Sequence, residues 1–306
     1  MQGRMGAVSR TVLSPDVWRA RRHAHRERVD RTLAGHRERA DHHVLHPVED
    51  FLFEYYRTKP VHLSRWSPGH GVVLGGEPVG LDQLPLQACD GGHEVDAAAL
   101  EHRRDGLAWI HTLLQRTGTR APSFGCFGLH EWAMLHRTDQ PRHRQLGLRL
   151  DADEVARIVE ERGVRCTHVD AFRFFTPSAR PLNQRPLSRA TQIEDDQPGC
   201  LHVTMDLYKW ATKLGPLAPS ELVMDCFDLA MDVRWVDMRA SPYDLGALPD
   251  PAGQIRTTAA IPIETPRGRA DYVELQQGFS ERAVPLRSRL TQVYGSVLDE
   301  LTLATR

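Results

Sequence analysis

Residues 201–214, LHVTMDLYKWATKL, and residues 220–239, SELVMDCFDLAMDVRWVDMR, separated by the breakers Gly215, Pro216 and Pro219, set the fold class. At 100° per residue, His202, Asp206, Lys209 and Lys213 stand at offsets 0, 4, 7 and 11 and share about 60° of arc. Leu201, Met205 and Tyr208 lie on one side of that stripe, and Val203, Leu207, Trp210 and Leu214 on the other. A surface helix has one apolar face and one broad polar face, whereas this one is apolar around most of its circumference. That is the pattern of a buried helix whose ionisable stripe lines a cleft. Glu221, Asp225, Asp228 and Asp232 repeat the same spacing on the following helix, and the short loop predicts an antiparallel helical hairpin. Lys209 and Lys213 then have two readings: neutralisers of the acidic stripe, or members of a site. For His202 and Asp206 the i, i+4 spacing suggests a self-contained pair in which the carboxylate orients the imidazole.

Outward from this hairpin the chain continues to read as helix. Ser14-Pro15-Asp16 places a cap and an N1 proline before a long helix. VEDFLFEYY is a short helix closed by Lys59-Pro60, and 96–117, 151–162 and 266–293 read as further helices. GVVLGGEPVG (71–80) suggests a short hairpin, AAIPIET (259–265) a strand, and 245–258 a polar connection. The expectation is a mostly α protein, a single large helical domain with minor β, divided into a basic N-terminal helix or arm (1–46) and a main helical domain (47–306).

Composition narrows the function classes. The 306 residues carry a formal net charge of −1, which argues against a bulk electrostatic nucleic-acid binder but leaves room for a locally basic groove. Residues 1–46 hold ten Arg against five Asp and Glu, either a solvated basic face or an arm that contacts phosphate. No apolar run approaches the roughly 18 residues of a membrane span, and no secretory leader is legible, so no membrane partner is expected. Five widely spaced cysteines form no disulfide framework and suggest a cytoplasmic protein. Gly-rich phosphate loops, nucleophile elbows and HExxH motifs are missing from the sequence, against NTPase, α/β-hydrolase and zincin readings.

Three Cys-plus-His clusters lie between Pro122 and Asp244, around Cys126, Cys166 and Cys200. The spacings Cys-x3-His and Cys-x-His are not those of structural zinc sites, and the cysteines read as packing. A divalent-metal site built from His130, Glu131, His168, Asp170, His202 and Asp206 is the alternative use of the same residues.

The strings HPVEDFLFEYY (46–56), FGCFGLHEWAM (124–134), RCTHVDAFRFFTPSARPLN (165–183), QPGCLHVTMDLYKW (197–210) and DMRASPYDL (237–245) resemble those of a bacterial family identified as 3-methyladenine DNA glycosylase. The resemblance is collinear over 13–290. It implies a DNA-repair hydrolase that cuts the N-glycosidic bond of an alkylated or otherwise modified base, with DNA containing a modified base as partner, no cofactor and no obligatory protein partner. Base removal requires an extruded nucleotide held by aromatics, a carboxylate that activates water, and cations on phosphate. Trp132, Phe174, Phe175, Tyr208 and Trp210 are the candidate base-pocket aromatics, with Asn183 and Gln197 able to read a base edge. Asp206 is the first candidate carboxylate and Asp170 the second, with His202 as helper. Lys209 is either an electrostatic partner or, for a lyase, the amine nucleophile. Arg173, Arg180 and Lys213 are the phosphate contacts. A helical metalloenzyme and a non-catalytic binding protein are the competing readings.

Overall fold

The computed structural model describes residues 10–246, 248 and 258–304. Residues 1–9 of the basic arm, most of the 245–258 connection and the last two residues lie outside them. Among the described residues, eleven α-helices follow in chain order. They are α1 (Pro15–Asp41), α2 (Phe51–Tyr56), α3 (Pro60–Leu63), α4 (Arg104–Gly118), α5 (Leu129–Ala133) and α6 (Ala152–Arg162), then α7 (Val169–Phe172), α8 (Gln192–Asp195), α9 (Leu201–Lys213), α10 (Ser220–Ala240) and α11 (Pro266–Ala304). The protein is a mostly α single domain with one small sheet, as its helical periodicity predicts.

The predicted hairpin forms the centre. α9 and α10 pack along each other, and ten of the thirteen α9 residues are buried. α11 lies across both and against α4, placing Phe279, Ala283, Leu290, Tyr294, Val297 and Leu301 in the core. The sequence reading ends this helix at 293. It runs eleven residues further because Tyr294, Val297 and Leu301 keep the buried stripe going, and that burial outweighs the cost of Gly295, about 1 kcal/mol in a helix interior.

The β content falls elsewhere than expected. Of 71–80 only Val72–Leu74 is a strand, β2, which pairs in parallel with β1 (Thr11–Leu13). The hairpin is instead β3 (Leu86–Cys89) with β4 (Gly92–Val95), turned by Asp90-Gly91, a two-residue signal that favours hairpin turns. A side chain at Gly92 would place its Cβ 2.0 Å from the Leu74 carbonyl oxygen, so the β2–β4 pairing requires glycine there. The 259–265 segment is not a strand. Ile261 and Ile263 are buried in it, and the Ile261 amide donates to the Arg239 carbonyl at 2.8 Å.

α1 buries Val29 and Leu33 in the main core and Trp18 in a small second core with Trp66, Leu74 and Leu81. Arg21 donates to Glu221, while Arg28 binds Asp225 and Asp228 at 2.8 and 2.6 Å. Arg289 and Arg282 of α11 reach Asp225 and Asp232. The acidic stripe of α10 is therefore neutralised by arginines of the first and last long helices, and no described lysine contributes to it. No helix among the described residues is long and apolar enough to cross a membrane.

Candidate active site on helix α9

Lys209 answers the question its spacing poses. Its Nζ donates to Asp170 Oδ2 at 2.7 Å and to Asp206 Oδ2 at 3.1 Å. Asp170 arrives on the short helix α7, whose N-cap is His168: its Nδ1 accepts the Ala171 amide at 3.2 Å. With Nδ1 so occupied, the ring's proton sits on Nε2, which faces Asp206 Oδ2 at 3.2 Å. The Tyr56 hydroxyl donates to Asp206 Oδ1 at 2.8 Å. Asp206 thus accepts three hydrogen bonds while fully buried.

Burial opposes ionisation of Asp206, but the Lys209 charge, His168 and the Tyr56 hydroxyl outweigh it and hold the carboxyl well below its usual range. Asp170 is lowered as well: burial works against it and Lys209 prevails. Burial pulls the Lys209 ammonium down, yet the two carboxylates raise it above the ordinary lysine value. Burial and the Asp206 charge push the Tyr56 phenol far up, so it remains a donor. The resting site is two carboxylates and one ammonium, with the exposed Arg173 guanidinium 3.9 Å from Asp170 Oδ1 at its edge, and the three are exposed very unequally. The Asp206 side chain is 1% exposed, Lys209 16% and Asp170 21%.

The His202–Asp206 pair expected from i, i+4 spacing does not form. His202 stacks on His168 with ring centroids 5.2 Å apart and meets the edge of His130 at 4.4 Å, and its Nδ1 has no partner among the described residues. Burial, followed by the charge on His130, drives its pKa well below the ordinary histidine value. His202 is a neutral spacer between two polar centres.

The second centre lies in the interior, with the half-buried Cys126 at its edge. His130 Nε2 is 2.6 Å from Asp237 Oδ1, and Cys126 Sγ is 3.3 Å from His130 Nδ1. Arg234 donates to Glu131 at 2.9 Å, to Asp237 at 3.0 Å and to His143 at 3.1 Å. Burial disfavours the His130 charge, but Asp237 overcomes this and raises the imidazole well above its usual range. Burial and the Arg234 charge lower His143 to about 3, which keeps it a neutral acceptor. Both centres have a metal-like donor set: His130, Glu131, His202 and Asp237 in one, His168, Asp170 and Asp206 in the other, with donor atoms within 4.8 Å. A protein cation already satisfies the carboxylates of each, Arg234 in the first and Lys209 in the second. A divalent ion would have to displace it.

The remaining sequence candidates divide by burial. Trp132 is fully buried and its Nε1 donates to the Ala240 carbonyl at 2.9 Å; Phe175 and Tyr208 are equally enclosed, so these rings are core and offer no face to a base. Asn183 clips Cys166 on both its amide and its carbonyl, a structural bond rather than a base reader. Gln197 is spent in the same way on Ser123. Arg180 donates to the Arg173 carbonyl at 3.2 Å. Phe174 is half-buried near Asp170, with Arg142 over its ring at 4.3 Å, Arg173 at 4.7 Å and the Tyr55 ring at 6.3 Å. Trp210 and Lys213 belong to a separate depression against Trp109.

Tyr55, Tyr56, Arg142, Arg234 and Asp237 were not singled out by the sequence reading. Arg234 and Asp237 did carry a signal, since two opposite charges at i, i+3 within an otherwise apolar turn of α10 must be paired. Tyr56 carried none, because a tyrosine ending an aromatic helix reads as core. No family model matches the chain, and no curated protein or solved structure matches it.

Proposed function

We propose that the chain removes a modified base from DNA by hydrolysing its N-glycosidic bond at the Asp170–Lys209–Asp206 centre. The observation that carries the reading is Asp170: an ionised carboxylate, one-fifth exposed, fixed by a lysine that a second, buried carboxylate holds in place. Beside it stand the half-buried Phe174 and two exposed guanidinium groups, Arg142 and Arg173. The resemblance to the 3-methyladenine DNA glycosylase family supports the same reading, since the strings that carry it supply all three centre residues and Phe174.

Burial reverses the order in which sequence ranks the two carboxylates. Asp206 touches no substrate and acts as a positioning residue. Asp170 faces the sugar, balances positive charge developing at C1′ and accepts the proton of the attacking water, while the base departs with the electrons of the broken C–N bond. Lys209 is held as an ammonium, so it lacks the lone pair that attack on C1′ requires, and the reaction is hydrolysis without strand cleavage. Phe174 offers a stacking face, and Arg142 and Arg173 grip the flanking phosphates.

The test is release of free base from methylated duplex DNA by purified protein, with Asp170→Asn lowering the rate by about 100-fold or more at unchanged melting temperature. A protein that releases no base from alkylated or bulky-modified DNA while folded ends this reading.

A further inference from the structure

Half-buried arginines such as Arg28, Arg39, Arg120 and Arg149 each donate to a carboxylate or a carbonyl, whereas one surface gathers cations with no carboxylate partner among the described residues. Between α4 and α9 lies an open depression of about 390 Å³ lined by Arg103, Trp109, Trp210 and Lys213, with Arg189 at its rim. Arg189 stacks over the Trp109 ring at 4.2 Å, and its guanidinium also contacts Gln192. Trp109 meets Trp210 edge-on at 6.1 Å, and Lys209 Nζ lies 4.3 Å from the Trp210 centroid. Arg103, Arg189 and Lys213 pair with no carboxylate among the described residues, and no acidic residue lines the depression. In a chain of net charge −1 that concentrates three unmatched cations around the half-buried Trp109, with Trp210 buried behind it.

We infer that this depression is a docking groove for a single-stranded segment of nucleic acid, with phosphates on Arg103, Arg189 and Lys213 and a base stacked on Trp109 in place of the Arg189 guanidinium. Cations around a half-buried indole ask for a ligand that is both anionic and flat-faced, which a nucleotide chain is and an acidic peptide is not. An unpaired strand is required because duplex bases keep their faces covered. The inference rests on the proposed function and deepens it: Lys213 follows Lys209 by one turn of α9, about 6 Å along the axis, so a strand entering the site is carried into this groove. Enzymes that do chemistry on a base either take single-stranded substrate or extrude the target nucleotide, and this groove fits the first mode.

The experiment is fluorescence-anisotropy titration of a labelled twelve-nucleotide oligodeoxythymidylate at several salt concentrations. The wild-type protein binds it in preference to a duplex of equal length. The combined Arg103→Glu, Arg189→Glu and Lys213→Glu protein binds at least about ten-fold more weakly, and its log–log salt slope is smaller by about 2, from roughly 0.7 per single-strand phosphate contact. Trp109→Ala weakens binding by about ten-fold with the salt slope intact. Equal binding by the triple variant overturns the inference, as does duplex preference or equally effective competition by poly-glutamate at matched charge. Thermal melts of each variant separate lost contacts from lost fold. The oligonucleotide contains no modified base, so a failure here leaves base removal standing, and an absence of base release leaves the groove standing.

Discussion

His168 Nε2 lies 3.2 Å from Asp206 Oδ2, although the two come from different elements and another histidine, His202, precedes Asp206 by one turn of its own helix. The reason is geometric. Neighbours at i, i+4 share a face, but burial turns the His202 ring between His130 and His168, whereas the N-cap role of His168 fixes its ring with Nε2 toward α9. Exchange of each for leucine separates the roles. His168→Leu removes a donor from a buried carboxylate and a cap from α7, and is expected to cost on the order of 3 kcal/mol and to slow base release at least ten-fold. His202→Leu removes a ring whose Nδ1 is unpartnered and is expected to change stability by under about 1 kcal/mol, with base release retained. Chemical denaturation and base-release rates on both variants decide the matter, and the reverse order of effects refutes the assignment.

The charges of the site fix its pH profile. Asp206 and Asp170 are depressed below the ordinary 3.8, so their ionised forms, and the stability they contribute, are complete above that value and are lost only as pH falls through the lowered values. Lys209 is raised above 10.5, so its ammonium, and the stability it contributes, persist until pH exceeds that. Single-turnover base release is therefore expected to be flat between about pH 5 and 9 on a substrate that does not itself titrate there. A bell centred inside that range means that a different acid–base pair does the chemistry.

How much of this was legible in sequence depends on the range of the interaction. The α9–α10 hairpin and the burial of α9 follow from local periodicity, and the three clusters do converge, because α9 carries groups toward both polar centres. What local spacing cannot assign is the partner of a charge. Lys209 and the α10 carboxylates have matching registers, yet α1 and α11 lie closer to those carboxylates, and α7 delivers Asp170 to Lys209. Exposure was hidden for the same reason. Nothing between positions 170 and 206 announces that one carboxylate faces solvent and the other is sealed beneath Tyr56.

Asp196 offers a stability test that needs no activity readout. Its Oδ2 accepts from Gln192 at 3.0 Å, its Oδ1 is buried without a partner, and burial raises its pKa to about 6. A raised carboxyl favours the folded state most when protonated, so this contribution is complete below the unfolded value of 3.8 and is lost as pH climbs to about 6. Asp196→Asn keeps the Gln192 bond without the charge. It is expected to stabilise the protein at pH 7.5 by on the order of 2 kcal/mol and to flatten stability between pH 4 and 6. A variant less stable than wild type at pH 7.5 shows that the carboxylate is paired.

The basic N-terminal helix admits two uses in sequence, a solvated face or a phosphate-binding arm, and Arg28 tests them. Its guanidinium bridges Asp225 and Asp228, and Asp225 has Arg289 in reserve while Asp228 does not. Burial already raises the Asp228 pKa despite Arg28, so loss of the arginine leaves a carboxylate poorly placed for its charge. Arg28→Ala is expected to destabilise by about 0.5–1 kcal/mol, and Asp228→Asn in the same chain should recover part of that loss, the non-additivity measuring the pair. Neither change should weaken oligodeoxythymidylate binding, since this arginine is committed to α10. A drop in affinity with additive stabilities would return Arg28 to the phosphate-binding role and detach it from the acidic stripe.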